Sequence, residues 1–113
     1  HVTHDETLGR VVRVALTDDG AYAEPAEARL AIADWPEAVW LRAEFDQESL
    51  TFHASPDGMI WTQVGGVFDA ARLSDDHGSV LHFTGTLVGL SCHDVSGDGA
   101  VADFEFFELA RRA

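Results

Sequence analysis

Short runs of alternating apolar and polar residues, separated by turn signals, cover most of the chain. Residues 40–45 (WLRAEF) place Trp, Arg and Glu on one face and Leu, Ala and Phe on the other, which is typical of a half-buried strand. Residues 49–55 (SLTFHAS) alternate in the same way. The segment Ser55-Pro56-Asp57-Gly58 is a strong turn signal. We therefore predict that residues 61–64 continue the sheet as the next strand.

The same pattern predicts further elements on both sides of this region. They are a strand at 10–16, a turn at Asp18-Asp19-Gly20, a short strand near 30–33 within a loop at 21–34, a helical turn at 69–73, and strands at 86–92 and 103–109. Six or seven short strands at this spacing predict an all-β fold, an antiparallel β-sandwich. A chain of 113 residues is long enough for one such domain, residues 1–113, and too short for two.

Charge narrows the classes of partner. Twenty acidic residues face seven basic ones, which gives a formal charge of −13. This excess predicts no nucleic acid and no membrane as partner, because nucleic acids and anionic membranes bind through positive charge. No apolar run approaches the roughly 20 residues that a membrane-spanning helix needs. A neutral sugar or another protein is the more natural partner.

Cysteine and histidine usage indicate little metal or redox chemistry. Cys92 is the only cysteine, so no internal disulfide can form, and a reducing, cytoplasmic location is expected. Its place in the apolar run TLVGLSC predicts a buried core position. No HxH or HExxH spacing occurs, so we expect no zinc site and no cofactor.

Acidic residues in loops give two weak candidate sites. Aspartates that could form a catalytic pair are Asp57, Asp75, Asp76, Asp94, Asp98 and Asp103, but with twenty acids such pairs arise by chance. The favoured interpretation is a solvated acidic surface with aspartates that cap turns. Asp94 and Asp98, in the run DVSGDG, could bind calcium through oxygen ligands. An ordinary hairpin loop is the favoured alternative there.

Aromatic residues are the remaining means of binding a sugar, because sugar rings stack on aromatic faces. The candidates for stacking are Trp35, Trp40, Trp61, Tyr22 and Phe83. The phenylalanines in the predicted strands are expected in the core: Phe45, Phe52, Phe104 and Phe106. Trp40 and Trp61 are expected to be core or half-buried as well. Phe83 differs from them because it ends the polar loop 74–82, where an apolar ring either anchors the loop or contacts a partner.

An ordered series of motifs carries a family resemblance across nearly the whole chain. The stretches are LTFHASPDGMIWTQVG (50–65), FDAARLSDD (68–76), FTGTLVGLSCHDVSG (83–97) and ADFEFFEL (102–109). Upstream, GRVVRVALTDDGAYAEP (9–25) and VWLRAEFD (39–46) fit the same series. The chain resembles the C-terminal concanavalin A-like domain of family 43 β-xylosidases and α-L-arabinofuranosidases.

The resemblance implies a noncatalytic domain. In that family a separate five-bladed propeller carries the catalytic acids, so no catalytic residue is assigned here, and the propeller is the implied partner. Phe83 corresponds to the ring that helps to close the sugar pocket, so contact with a xylo-oligosaccharide would be indirect. The family's first strands would precede His1, so the sandwich is expected to be incomplete at its N-terminus, and the fragment could form a homodimer by strand exchange.

Three hypotheses follow for the function of the chain. The first is an accessory domain of a xylan-degrading glycoside hydrolase, which rigidifies the catalytic domain and closes its pocket with Phe83. The second is an independent carbohydrate-binding module for xylan-like glycans, with an exposed tryptophan as the binding ring. The third, a free-standing hydrolase, requires a carboxylate pair that the resemblance places in another domain.

Overall fold

The computed structural model describes residues 1–70, 88–94, 97, 99 and 101–110. These residues contain nine β-strands and no α-helix. The strands are β1 Val2–Asp5, β2 Gly9–Arg13, β3 Leu16–Asp18, β4 Ala21–Ala23, β5 Arg29–Ala31, β6 Trp40–Asp46, β7 Ser49–Ser55, β8 Thr62–Gln63 and β9 Phe68–Asp69. Nothing in this part of the chain forms a helix with the length and apolar character to span a bilayer.

The strands form three antiparallel sheets. The first has the order β1-β2-β5, the second is the hairpin β3-β4, and the third has the order β6-β7-β8 with β9 also paired to β7. The predicted all-β, antiparallel fold is therefore confirmed in the described residues. Strand β7 has partners along both of its edges, since β6 pairs with one edge and β8 and β9 pair with the other.

The hairpin β1–β2 occupies the start of the chain, where the sequence predicted β2, as part of the strand at 10–16, but not β1. Asp5 Oδ1 accepts hydrogen bonds from the backbone N–H groups of Thr7 at 2.8 Å and Leu8 at 2.9 Å. Gly9, at φ 77°, then lets the chain return along β2. The apolar–polar pattern does not predict β1, because this strand is short and largely polar. The hydrogen bonds to Asp5 close a three-residue loop, and this local feature is not part of that pattern.

The predicted turn at Asp19-Gly20 is present and joins β3 to β4. Both residues have positive φ, 51° at Asp19 and 84° at Gly20, as a two-residue type I′ hairpin requires. Strand β4, which the sequence assigned to a loop, follows directly. Tyr22 in β4 is 65% exposed, and this strand has no buried apolar position from which an alternating pattern could have predicted it.

The core lies between the first and third sheets. Its buried members are Val12, Val14, Ala28, Ile32, Ala54 and Val64, and the half-buried residues packed against them are Leu30, Trp35, Val39, Phe52 and Phe68. The rings of Phe52 and Phe68 meet edge to face with centroids 5.6 Å apart. The alternation predicted for 49–55 is confirmed, because Leu50 and Ala54 are buried on the core side.

Gly65 and Ala28 bring the two layers of the core into close contact. Gly65 has φ 78°, and a Cβ atom at this position would lie 2.8 Å from Cβ of Ala28 and 3.2 Å from its Cα. Ala28 is fully buried and fixed by its backbone, since its carbonyl accepts from Val14 N at 3.1 Å and its N–H donates to Pro25 O at 3.1 Å. Any side chain at position 65 would force the layers apart.

Several predictions for the second half of the chain are wrong where the structure describes it. None of the residues in 88–94 or 101–110 lies in a strand. Cys92 is exposed rather than buried. Of the phenylalanines predicted for the core, Phe45 is 45% exposed, Phe104 51% and Phe106 55%. Cys92, Phe104 and Phe106 are exposed because no strand among the described residues pairs with their two segments, so alternation alone does not bury their side chains. Phe45 lies in β6, which is paired with β7, yet its side chain remains exposed on the core side of the sheet.

The predicted helical turn at 69–73 is only partly described. Asp69 lies in β9 instead of capping a helix, and the backbone N–H of Ala70 donates to Glu48 O at 2.6 Å. Residues 71–73 are outside the described part of the chain. Pairing with β7 therefore takes precedence over the local capping signal at Asp69.

We expect Gly65→Ala to lower the free energy of unfolding by about 1–3 kcal/mol more than Gly20→Ala does. Both substitutions place a Cβ on a positive-φ backbone, but position 20 has open space around it whereas position 65 meets Ala28. Urea denaturation of the two variants measures the difference. Equal losses of stability would show that the Gly65–Ala28 contact does not limit the core.

Candidate functional site

The third sheet has a second face, opposite the core, that carries polar and aromatic side chains. In the register of β6, β7 and β8, Arg42 lies opposite His53, and His53 lies opposite Gln63. Glu44 lies opposite Thr51 one step along the same face. Because side chains alternate between the two faces of a strand, these residues project away from the core.

Four residues on this face form what we call the sheet-face cluster: Arg42, Glu44, His53 and Trp61. The Cζ atom of Arg42 lies 4.1 Å from the centroid of the Trp61 ring, a cation–π contact. Arg42 Nε is 3.3 Å from Glu44 Oε1, and His53 Nδ1 is 4.0 Å from Glu44 Oε2. Glu44 thus stands between the two nitrogen-bearing side chains.

The cluster combines buried polar atoms with exposed side-chain surface. Among the described residues, neither Arg42 Nε nor His53 Nδ1 has a hydrogen-bond partner, because the contacts with Glu44 are within ion-pair distance but do not meet hydrogen-bond geometry. The side chain of His53 is 15% exposed, while those of Arg42 and Glu44 are 39% and 38% exposed. The cluster therefore offers a carboxylate, two nitrogen groups and a half-buried indole ring.

Trp40 lies on the same face but has other aromatic and backbone neighbours. Its ring meets that of Phe106 at 5.0 Å and 61°, an edge-to-face contact. Gly58 lies directly against the ring, since a Cβ on Gly58 would be 2.9 Å from the Trp40 Cε2 atom. These contacts pack Trp40 into the end of the sheet, and 36% of the residue remains exposed.

The turn after β7 places Gly58 against Trp40. The Ser55 hydroxyl is buried, donates to Asp57 Oδ1 at 3.0 Å, and accepts from the backbone N–H of Asp57 at 3.2 Å and Gly58 at 2.8 Å. Asp57 Oδ1 in turn accepts from Met59 N at 2.8 Å and Ile60 N at 3.0 Å. Hydrogen bonds from the N–H groups of Ile60, the largest cause, and of Met59 hold the pKa of the Asp57 carboxyl below its ordinary value.

Trp35 is on the core side, away from the sheet-face cluster. Its ring packs against the buried cluster of the core. The guanidinium of Arg10 holds this loop, because Nη1 donates to Glu37 O at 2.9 Å and Nη2 donates to Trp35 O at 2.8 Å and Pro36 O at 2.6 Å. Of the three tryptophans predicted to stack on sugar, the structure therefore brings Trp61 alone together with Arg42, Glu44 and His53.

Two other predicted site residues lie outside the described residues. These are Phe83 and Asp98, while Asp94, the other calcium candidate, is described. Within the described part of the chain, no three His, Cys, Asp or Glu side chains are grouped as a metal site would require. The calcium site at Asp94 and Asp98 and the pocket contact of Phe83 stay predictions.

The sequence analysis did not single out three residues of this cluster: Arg42, Glu44 and His53. A signal for them was present in the alternation of residues 40–45 and 49–55, which places polar and aromatic residues on one face. Whether such a face is plain surface or a cluster depends on strand register and on the position of Trp61, which lies beyond the turn. Neither follows from alternation alone.

Comparison with known proteins identifies the domain. Residues 1–110 match the family model for the β-xylosidase C-terminal concanavalin A-like domain. The chain belongs to this family. The concanavalin A-like β-sandwich predicted from the sequence is therefore confirmed, as is the resemblance that suggested it.

Individual relatives agree with the family match. The chain is 38% identical over 108 residues to the "Putative beta-xylosidase" of Escherichia coli (strain K12), covering 94% of this chain and 20% of that protein. It is 32% identical over 113 residues to the "Beta-xylosidase" of Bacillus subtilis (strain 168), covering 98% and 21%. The crystal structure of xylan β-1,4-xylosidase from Bacillus halodurans C-125 superposes with a TM-score of 0.76 at 31% identity, covering 87% and 19%.

The matches cover only a small part of the length of the related hydrolases. The chain spans about one fifth of the length of the relatives that it matches. The matched region is the C-terminal domain of proteins named as xylosidases. The prediction that this chain is not by itself a glycoside hydrolase is confirmed, and the hypothesis of a free-standing hydrolase is not supported.

We expect acid to destabilise the wild-type domain more than its Asp57→Asn variant. Because the folded pKa of Asp57 is lowered, its carboxylate stabilises the fold above the unfolded pKa of about 4, and this contribution is lost as pH falls through the folded pKa. The variant keeps the amide oxygen as an acceptor but does not titrate. Urea midpoints measured between about pH 6 and pH 2 test this.

Asp5→Asn provides a second variant of the same kind. The N–H groups of Leu8 and Thr7 lower the pKa of Asp5 in the same way. Each variant should therefore lose less stability in acid than the wild type. Superimposable pH curves for all three proteins would contradict the role given to these two turn carboxylates.

Proposed function

We propose that the chain is a noncatalytic accessory domain of a xylan-degrading glycoside hydrolase, and that it packs against the catalytic domain of the same polypeptide. The observation that carries this proposal is the family match over residues 1–110 combined with coverage of one fifth of the named xylosidases. A domain of this kind contributes shape and rigidity to a site whose reacting groups lie elsewhere in the chain.

Exposed apolar surface supports a docked domain. Leu41 and Phe45 of β6 are on the core side of the third sheet, yet they are 52% and 45% exposed. In the segment 101–110, Val101 and Leu109 are 83% and 77% exposed. Apolar surface at several places is expected when a domain is buried against a neighbour.

The formal charge of −13 agrees with a role at a neutral polysaccharide. Such a surface repels polyanions but has no Coulombic penalty against an uncharged glycan.

The proposed location is the cytoplasm, where the single thiol of Cys92 would stay reduced.

The finer part of the proposal assigns Phe83 to the wall of the sugar pocket. It is supported by the resemblance of residues 83–97 to the corresponding element of the family, and by the position of an apolar ring after the polar loop 74–82. Such a ring would exclude water from the pocket and orient the substrate. The contact with a xylo-oligosaccharide would then depend on docking to the catalytic domain.

Phe83→Ala in the full-length parent enzyme is expected to lower kcat/KM for xylobiose by about tenfold or more, because a lost pocket wall loosens substrate positioning. Tyr22→Ala is the matched control, since Tyr22 is an exposed ring in the separate β3–β4 hairpin. Steady-state kinetics are compared at matched thermal stability. Unchanged kinetics for Phe83→Ala, or an equal loss for Tyr22→Ala, would contradict the assignment.

A further inference from the structure

The accessory role proposed above was argued without the sheet-face cluster. We propose that Arg42, Glu44, His53 and Trp61 form a binding site for a neutral oligosaccharide on the face of the third sheet. This site would bind glycan on the domain itself, and it does not rest on docking to a catalytic domain or on Phe83.

Trp61 supplies the stacking surface of the site. The indole is half-buried, and Arg42 lies over one of its faces at 4.1 Å from the ring centroid, so a sugar would stack on the opposite face. A fixed, partly exposed ring suits a sugar, whose C–H groups pack on aromatic faces at low entropic cost. The packing of Trp40 against Phe106 and Gly58, and of Trp35 against the core, makes these two rings weaker candidates.

The polar atoms next to Trp61 match the chemistry of hydroxyl groups. A hydroxyl donates one hydrogen bond and accepts others, so it can donate to the Glu44 carboxylate and accept from Arg42. The buried Arg42 Nε and His53 Nδ1 atoms have no hydrogen-bond partner among the described residues. Because these two atoms have almost no accessible surface, a sugar hydroxyl would bond instead to the Glu44 carboxylate and to the outer nitrogens of the Arg42 guanidinium, whose side chains are 38% and 39% exposed.

Charge selects a neutral ligand over an anionic one. Arg42 and Glu44 offset each other within the cluster, and the chain as a whole has a formal charge of −13. An anionic ligand would meet this repulsion, whereas an uncharged sugar would not. The cluster also has a rigid base, because Arg42 and His53 face each other across the paired strands β6 and β7.

Titration of the ¹⁵N-labelled chain with xylohexaose, monitored by NMR, tests the site without any mutation in the binding protein. The three tryptophans give three indole signals, which Trp→Phe variants assign. We expect a saturable shift of the Trp61 signal with millimolar or tighter affinity. Cellohexaose is a second neutral probe, and a saturable shift with either sugar supports the site. No saturable Trp61 shift with either sugar up to about 10 mM would overturn it.

Matched variants identify the cluster as the place of binding. Trp61→Ala and Glu44→Gln should each weaken sugar binding by about tenfold. Glu6→Gln makes the same chemical change in the exposed loop between β1 and β2 and should leave affinity within about twofold. If Trp61→Ala does not fold, Glu44→Gln decides. Equal affinity for Glu44→Gln and Glu6→Gln would place the sugar elsewhere and overturn the proposal.

Because the probe is the isolated chain, this test is separate from that of the accessory role. Loss of sugar binding by the chain would leave the Phe83 kinetics of the parent enzyme unaffected. Conversely, unchanged Phe83→Ala kinetics would not alter the Trp61 shift. The two proposals can therefore fail independently.

Discussion

The pairing of β7 along both of its edges is the constraint on which the rest of the described structure depends. Strand β6 pairs with it over all seven residues, and β8 and β9 share its other edge. Because side chains alternate, this pairing sends Leu50 and Ala54 into the core and His53 to the opposite face. A slip of one residue would exchange the two sets. The core and the sheet-face cluster are thus two results of one register.

Local hydrogen bonds and close contacts then fix the position of the surrounding loops. Ser55 and Asp57 share five hydrogen bonds within one turn, which sets Gly58 against the Trp40 ring. Arg10 fixes the loop that carries Trp35 through three backbone carbonyls. Each arrangement satisfies polar groups that would otherwise be unpaired near the core. The aromatic residues of the domain are therefore placed by polar networks as much as by apolar packing.

The sequence was sufficient where local signals and alternation agree. It predicted β6, β7 and the turn at Ser55-Pro56-Asp57-Gly58, because these have clear periodicity and a strong turn motif. It missed β1 and β4, which are short and have little buried surface. It could not place Trp35, because Arg10 contacts that loop from 25 residues away. Nor could it group Arg42 with Trp61, since that contact depends on register across a turn.

The register of β6 against β7 is the central claim, and cross-strand nuclear Overhauser contacts test it most directly. The structure predicts backbone contacts that pair Ala43 with Phe52 and Glu44 with Thr51. This result would support a core on one face of the sheet and the sheet-face cluster on the other. Contacts shifted by one residue, with Ala43 opposite Thr51, would place His53 on the core side and contradict the account.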